Sequence, residues 1–298
     1  MNRAILLLAP LFVSAGLSAV LTPPVRRLAL RIGAIDRPEP RKVHRQPIPR
    51  LGGLAIVASA AITFVPLWWL ALRDAATFPS GLSAGVGFGL LPILAISIRD
   101  DIRPLGSAPK FLAQTLGTVV AVAFGVCLAP TVHIFGQSVE IGFLAVPLSV
   151  VWLVGVTNAF NIVDGLDGLS AGLALISAGS LVSILAVAHQ MPMAAAALVV
   201  AGAILGFLPY NLYPARIFLG DSGATAIGFA LACFALKGGR RFRPALPCCC
   251  QSWSWACPWR RLSSPWRAGS FAGSRRRQRR AYSKPTAITF TIACLPLA

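Results

Sequence analysis

Acidic residues are scarce in this sequence: only nine Asp and Glu occur among 298 residues, and charged residues of both signs make up 12%. A typical soluble globular protein is about 25% charged, so this composition excludes that class. Hydrophobic residues reach 56%, and the mean hydropathy is +0.73. We therefore expect an all-α polytopic integral membrane protein.

Histidine is also rare, and cysteine occurs without the spacing of a metal site. The three His are isolated, and five of the seven Cys follow residue 240. The run Cys248-Cys249-Cys250 has no CxxC pair or His partner, so a zinc site is not indicated. Cys127 and Cys233 lie in apolar runs and are most simply packing residues.

Long apolar runs dominate the first 239 residues. A membrane-spanning helix needs about 20 apolar residues, so the run 168–215 is expected to hold two helices joined by a turn at 189–192. The first run could instead be a signal peptide, because Arg3 precedes it, but its length and the basic loop after it favour a span. About eight transmembrane helices are expected, near residues 4–22, 52–72, 82–98, 111–129, 143–160, 168–188, 193–210 and 221–237.

Basic residues indicate the orientation of these spans. The loop 23–51 carries eight Lys and Arg against two acidic residues, so it is expected in the cytoplasm with the N-terminus outside. Alternation then places 99–110, 161–167 and 211–220 in the cytoplasm as well. The loops predicted outside carry almost no charge, which agrees with this orientation.

Five of the nine acidic residues lie at span ends on this predicted cytoplasmic side. A carboxylate at a membrane boundary is costly unless it is solvated or paired, so each is a functional-site candidate. Together they predict one polar site that shares a cation. The five are Asp100, Asp101, Asp164, Asp167 and Asp221.

A regular polar spacing marks the segment 158–172. Asn158, Asn161, Asp164 and Asp167 recur every three residues, and on a continuous helix the first and last would point in opposite directions. A helix break at Gly165 and Gly168 would let them converge. Four oxygen-bearing side chains suit a hard cation or a nucleotide. The alternative is an ordinary polar turn.

Each of the other motifs has a structural alternative as well. Asp100-Asp101 could be a salt-bridged helix end. The free N–H groups at the start of the last span favour an anion, but Asp221 could simply be the N-cap of that helix. The basic segment 41–53 could be an anchor of the positive-inside kind. The segment 207–224 contains Pro214 and Gly220, which predict irregular backbone before the last span.

Together these four motifs resemble the polyprenyl-phosphate N-acetylhexosamine-1-phosphate transferases, which form glycosyltransferase family 4. The motifs are IRDDIRPLGSAPK, NAFNIVDGLDG, FLPYNLYPARIFLGDSG and RKVHRQPIPRLGG. The family includes enzymes that start O-antigen, enterobacterial common antigen and teichoic acid synthesis, and the translocase of peptidoglycan synthesis. The resemblance covers about residues 4–237. It implies transfer of a sugar-1-phosphate from a UDP-sugar to undecaprenyl phosphate with Mg²⁺ or Mn²⁺. N-acetylglucosamine is the broadest default for the sugar, and N-acetylfucosamine, N-acetylquinovosamine and a bacillosamine-type sugar stay open.

The resemblance also implies roles for individual residues. Asp221 and Asn161 would hold the metal, with Asp164 beside it. Asp167 would contact uracil and Phe218 would stack on it. Asp100 and Asp101 would lie beside the lipid phosphate, and Lys110 would neutralise a phosphate. Further substrate contacts are expected from Asn158, Asn211, Lys42, His44 and Arg45.

The same resemblance implies the surroundings of the protein. A UDP-sugar and undecaprenyl phosphate are the expected partners, without nucleic acid, and a homodimer is left open. The expected location is the bacterial inner membrane, with the active site on the cytoplasmic face.

The sequence after residue 239 departs from the family. The family carries a His-containing late loop and two or more further spans, whereas residues 240–298 hold twelve basic residues and no acidic ones. We expect a membrane-embedded but incomplete transferase domain at 1–239 and an irregular tail, out of frame and disordered, at 240–298. A real polybasic arm for anionic lipid or nucleic acid is the alternative. A cation-coupled transporter and an inactive truncated transferase remain open as alternative functions.

Overall fold

The computed structural model describes residues 3–36, 47–69, 81–134 and 137–239. Within these ranges it contains eight α-helices, and the predicted all-α architecture is confirmed. The expectations for the tail 240–298 fall outside the described residues. The helices are α1 Arg3–Ile32, α2 Gly52–Leu67, α3 Leu82–Ile102, α4 Ser107–Ala123, α5 Ala145–Val163, α6 Leu169–Val187, α7 Met191–Asn211 and α8 Gly220–Gly239.

Two small antiparallel ribbons join some of these helices. Strand β1 (Ile35–Asp36) pairs with β2 (Ile48–Pro49) just before α2. Strand β3 (Thr131–Ile134) pairs with β4 (Gln137–Glu140), and a short 3-10 helix at Gly142–Leu144 then leads into α5.

The helices have the length and composition of a multi-pass membrane protein. By these criteria five stretches in the described residues could cross a bilayer, and α2 is a shorter apolar helix. The five stretches are Leu8–Ile32, Leu82–Ile102, Gly142–Val163, Leu169–Val187 and Met191–Asn211.

Helix α1 is longer than predicted. It continues through Pro23 and Pro24 to Ile32, so the expected start of a loop at residue 23 is wrong. The extra turns have tertiary partners that sequence periodicity does not reveal: the Arg26 Nε donates to the Arg216 carbonyl at 3.0 Å, and Ala29 is buried.

The membrane part of α1 packs closely on α7. A Cβ built on Gly202 would lie 2.2 Å from the Leu11 carbonyl oxygen, and one on Gly206 would lie 2.0 Å from that of Ala15. Only glycine permits this backbone approach. Such close packing favours the interpretation of this segment as a span of the mature fold.

Helix α8 is the central helix of the bundle. It packs against α2, α3, α5, α6 and α7, and nearly every residue from Ser222 to Lys237 is buried. Helices that face lipid expose one side, so this burial means that α8 is enclosed by protein. The first turn of α8, at Gly220, is therefore surrounded by the ends of neighbouring helices.

A cavity of about 880 Å³ lies between α2 and α3, with α7 and α8 as its floor. Its lining is apolar and includes Phe64, Phe88 and Phe234. It contains none of the side chains predicted to form the site, which converge instead at the first turn of α8.

Candidate active site

The last turn of α3 supplies two adjacent carboxylates that point in different directions. Consecutive residues of a helix are rotated by about 100°, so Asp100 and Asp101 face different neighbours. Both are nearly buried, with 5% and 4% of their surface exposed. Buried carboxylates require charged or hydrogen-bonding partners, and each of the two has its own set.

Lys110 links α3 to α8. Its Nζ lies 2.8 Å from Asp100 Oδ2 and 2.6 Å from Asp221 Oδ2. The other oxygen of Asp100 accepts the Leu105 N–H at 2.7 Å. The consecutive helices α3 and α4 and the distant helix α8 thus bring two carboxylates and one ammonium group together.

Asp101 instead holds the start of α8. Its Oδ1 accepts the Asp221 N–H at 2.9 Å, and its Oδ2 accepts the Ser222 N–H at 3.1 Å. The N–H groups expected to favour an external anion therefore donate to a carboxylate of the protein. Gly220 has a φ of +75°, and a Cβ there would lie 2.8 Å from both carboxylate oxygens of Asp101.

Two glycines place the start of α2 against this region. The Gly52 N–H donates to the Phe218 carbonyl at 3.0 Å, and the Gly53 N–H donates to the Leu219 carbonyl at 2.8 Å. A Cβ on Gly53 would lie 2.1 Å from the backbone nitrogen of Gly223. The end of the basic segment at Gly52-Gly53 therefore lies at the edge of the site.

The predicted helix break in the second motif is confirmed. Helix α5 ends at Val163 and α6 begins at Leu169, with Gly168 at a φ of +72°. Asp164 follows directly after α5 and turns toward the carboxylate cluster. Burial and the nearby carboxylates of Asp221 and Asp101 raise its pKa to about 7, and the Arg50 guanidinium and the Gly220 N–H partly offset this.

The other predicted residues lie around the cluster. Asn158 is deeper between α4 and α5, where its Nδ2 donates to Gln114 Oε1 at 2.7 Å. Asp167 Oδ2 accepts the Ala215 N–H at 3.1 Å, and Asn211 Nδ2 donates to the Ile217 carbonyl at 3.1 Å. These bonds shape the 212–219 segment that leads into α8.

Two further predicted residues, Asn161 and Phe218, are placed by the backbone that carries them. Asn161 lies half-buried in the last turn of α5, three residues before Asp164 and so on a neighbouring face. Phe218 is half-buried, and its N–H donates to the Pro49 carbonyl at 2.9 Å. Lys42, His44 and Arg45 fall outside the described residues.

The donor atoms suit a hard divalent cation. In the described ranges no three His, Cys, Asp or Glu side chains form a preassembled metal site. However, among the described residues carboxylates outnumber cationic side chains around Asp221, and burial together with the carboxylates of Asp221 and Asp101 raises the pKa of Asp164. Carboxylate and amide oxygens are the ligands that Mg²⁺ prefers. Asp221, Asp164 and Asn161 therefore fit such an ion.

Sequence reasoning missed two residues of this region. Arg50 is close enough to Asp164 to affect its pKa, and it also pairs with Asp36 at 3.4 Å. Gln114 is the buried partner of Asn158. A signal for Gln114 was present, since it follows Lys110 by one helical turn on an otherwise apolar helix.

Together the fold and the charged cluster define a multi-pass helical membrane protein with a polar site at one end of its bundle. The chain belongs to the glycosyl transferase family 4, whose family model matches residues 83–239.

Among curated proteins, the chain is similar to the probable undecaprenyl-phosphate N-acetylglucosaminyl 1-phosphate transferase of Bacillus subtilis (strain 168). They are 34% identical over 238 residues, covering 80% of this chain and 64% of the relative. It is 40% identical to the decaprenyl-phosphate N-acetylglucosaminephosphotransferase of Mycolicibacterium smegmatis, covering 70% of this chain and 54% of the relative. It is 33% identical to the phospho-N-acetylmuramoyl-pentapeptide-transferase of Staphylococcus aureus (strain MW2), covering 77% of this chain and 74% of the relative. The chain thus spans less than two thirds of the length of the first two relatives.

Proposed function

We propose that this protein transfers N-acetylglucosamine-1-phosphate from its UDP-sugar to undecaprenyl phosphate and releases UMP. The observation that carries the proposal is the contact of Lys110 with both Asp100 and Asp221, which joins α3, α4 and α8 at one polar point. The names of two relatives, which specify N-acetylglucosaminyl phosphate transfer to a polyprenyl phosphate, support the donor and acceptor.

The reaction joins two polyanions, so its main physical requirement is positive charge. An oxygen of the lipid phosphate attacks the β-phosphorus of the UDP-sugar, and the bridging P–O bond to UMP breaks. Lys110 lies between the two carboxylates and can move to a phosphate oxygen, where it offsets charge in the transition state. Asp100 is placed to orient the acceptor phosphate or to take its remaining proton.

A divalent cation, Mg²⁺ or Mn²⁺, would be held by Asp221 and Asn161 with Asp164 beside them. When bound, it would neutralise the pyrophosphate of the donor. Asp167 and Phe218 are the proposed uracil contacts. Lys42, His44 and Arg45 are the proposed contacts from the basic segment that precedes α2.

The proposed setting is the bacterial inner membrane, with this site on the cytoplasmic face and the N-terminus outside. There the reaction would begin the synthesis of a cell-surface polysaccharide, with O-antigen or another cell-wall polymer as the product. Undecaprenyl phosphate and the nucleotide sugar would meet at the membrane surface.

Incorporation of labelled sugar into butanol-extractable lipid tests the proposal. The assay compares the full chain with a chimera in which residues 240–298 are replaced by the corresponding part of the Bacillus subtilis relative. Because the expected late His motif lies in that part, we expect product with the chimera and little with the full chain. A folded chimera that forms no lipid-linked product would contradict the proposal, and ion-dependent uptake into proteoliposomes would then favour a transporter.

Two matched variants of the chimera locate the reaction. Asp221→Asn should abolish transfer, because the loss of a metal ligand removes charge stabilisation on the order of several kcal/mol from the transition state. Glu140→Gln, an exposed carboxylate on β4, should transfer normally. A comparison of UDP-N-acetylglucosamine with UDP-N-acetylmuramoyl-pentapeptide distinguishes these two donors. Preference for the second would contradict the proposed donor but not the proposed type of reaction.

A further inference from the structure

The N-terminus of α8 has no capping side chain from its own preceding residues. Leu219 and Gly220 cannot accept a hydrogen bond through a side chain, yet the first N–H groups of a helix need acceptors. Those of Asp221 and Ser222 both donate to Asp101, at 2.9 and 3.1 Å. The acceptor thus comes from a different helix, about 120 residues earlier in the sequence.

Asp101 belongs to the face of α3 that packs on α8. One turn earlier on the same face, Ser97 Oγ lies 3.0 Å from Thr225 Oγ1. Two turns further, a Cβ on Gly89 would lie 2.8 Å from Phe229. Residues 101, 97 and 89 are spaced by multiples of four, so this face follows α8 along its length. Asp100 is rotated away from it, toward Lys110.

From this arrangement we infer that Asp101 is a positioning residue: it fixes the first turn of α8 and thereby the Asp221 carboxylate, while Asp100 alone of the pair faces the reacting groups. The inference rests on the proposed function and changes the role expected for Asp101 from the sequence. A carboxylate whose two oxygens already accept N–H groups is poorly placed to take a proton from a lipid phosphate.

The charge of Asp101 adds to its effect. The start of a helix carries a partial positive charge of about half a unit, which a carboxylate in line with the N–H groups stabilises. Gly220 completes the arrangement, because any side chain at its φ of +75° would meet the Asp101 oxygens. Asp101 and Gly220 are thus matched to each other.

Hydrogen–deuterium exchange of the purified full chain tests the inference without requiring turnover. In Asp101→Ala, peptides that cover residues 219–226 should exchange roughly tenfold faster, as expected when a helix cap is lost. Asp101→Asn should show an intermediate increase of about threefold, because its single amide oxygen can still accept one of the two N–H groups while its NH2 group cannot accept the other. The matched control Asp100→Ala should leave this segment unchanged.

Binding of Mn²⁺, followed by electron paramagnetic resonance, supplies the second measurement. Asp101→Ala should weaken Mn²⁺ binding, and Asp101→Asn, which keeps one of the two acceptor oxygens, should weaken it less. Failure of the original chain to bind Mn²⁺ would count against the proposed function, while the exchange data would still decide the role of Asp101. The inference is overturned if Asp101→Ala exchanges like the original chain, or if Asp101→Asn loses protection as fully as Ala would. Should Asp101→Ala not fold, the Asn variant alone decides.

Discussion

The two ends of the helix bundle satisfy their backbone groups with different chemistry. At the end where α8 begins, carboxylates accept the free N–H groups: Asp101 those of α8, and Asp100 that of Leu105. At the opposite end, Ser149 Oγ accepts the Leu128 N–H at 2.7 Å, and Gln190 Nε2 donates to the Gly238 carbonyl at 3.0 Å. Neutral groups therefore accept or donate the hydrogen bonds at these two positions.

That difference indicates which end carries function. Burying a carboxylate is much more costly than burying a hydroxyl or an amide, and a neutral cap would give comparable stability. The charged end retains Asp100, Asp101, Asp164 and Asp221 despite this cost. The excess negative charge is explained if the end must bind a cation and two phosphates.

The largest effect on transfer is expected from removing the Lys110 ammonium group, which lies between the carboxylates at this end. In the chimera, Lys110→Gln should lower kcat/KM by about 100-fold, because the charge that offsets the phosphates in the transition state is lost. Arg103→Gln, an exposed change just after α3, is the matched control and should transfer normally. If Lys110→Gln turns over within twofold of the parent, Lys110 has only a structural role.

A stability difference between two glycines comes next. Gly53→Ala places a methyl group 2.1 Å from the Gly223 nitrogen, so α2 and α8 must separate at the charged end. We expect a loss of about 1–3 kcal/mol and a lower Tm by intrinsic tryptophan fluorescence in detergent. Gly179→Ala on α6 meets nothing within 4 Å and should be neutral or stabilising by up to about 1 kcal/mol. Equal Tm values for the two variants would contradict the close approach of α2 and α8.

The pKa of Asp164 predicts a pH dependence at the charged end. Because this pKa is about 7, the carboxyl group is mostly protonated at pH 6 and mostly ionised at pH 8. Since only the ionised form attracts a cation, Mn²⁺ affinity should rise about tenfold across that interval. Asp164→Asn should flatten the profile. A profile in Asp164→Asn as steep as in the parent would assign the titration to another group.

The smallest effect on stability is expected from a substitution at the opposite end of the bundle. Gln190→Met keeps the volume but leaves the Gly238 carbonyl without its buried donor, which should cost about 1 kcal/mol of stability. Mn²⁺ affinity should not change, because the charged end is untouched. A fall in Mn²⁺ affinity comparable to that of Asp221→Asn would show that the two ends are not separable in this way.

Much of the fold follows from the sequence, because apolar runs and their Gly and Pro boundaries determine where helices lie. The break between Asn161 and Asp167 could be predicted because the spacing of three does not fit one helix face. The extension of α1 to Ile32 could not, since it depends on partners such as Arg216 that lie far away in the chain.

The site was predictable as a set of residues but not as an arrangement. Adjacent Asp100 and Asp101 appear equivalent in the sequence, and only the rotation of α3 against α8 separates them. A signal for that rotation exists in retrospect: Ser97 and Asp101 are four residues apart on α3, and Asp221 and Thr225 are four apart on α8. The matching of two such pairs is a tertiary fact that neither helix reveals alone.

The most direct measurement asks which compartment each end faces, since a nucleotide sugar is supplied from the cytoplasm. In a background with the seven native cysteines replaced, Ser107→Cys at the start of α4 and Glu140→Cys on β4 mark the two ends. An impermeant thiol reagent in intact cells should label Glu140→Cys and leave Ser107→Cys unlabelled until the cells are lysed. Ready labelling of Ser107→Cys in intact cells would place the charged end outside and contradict the account.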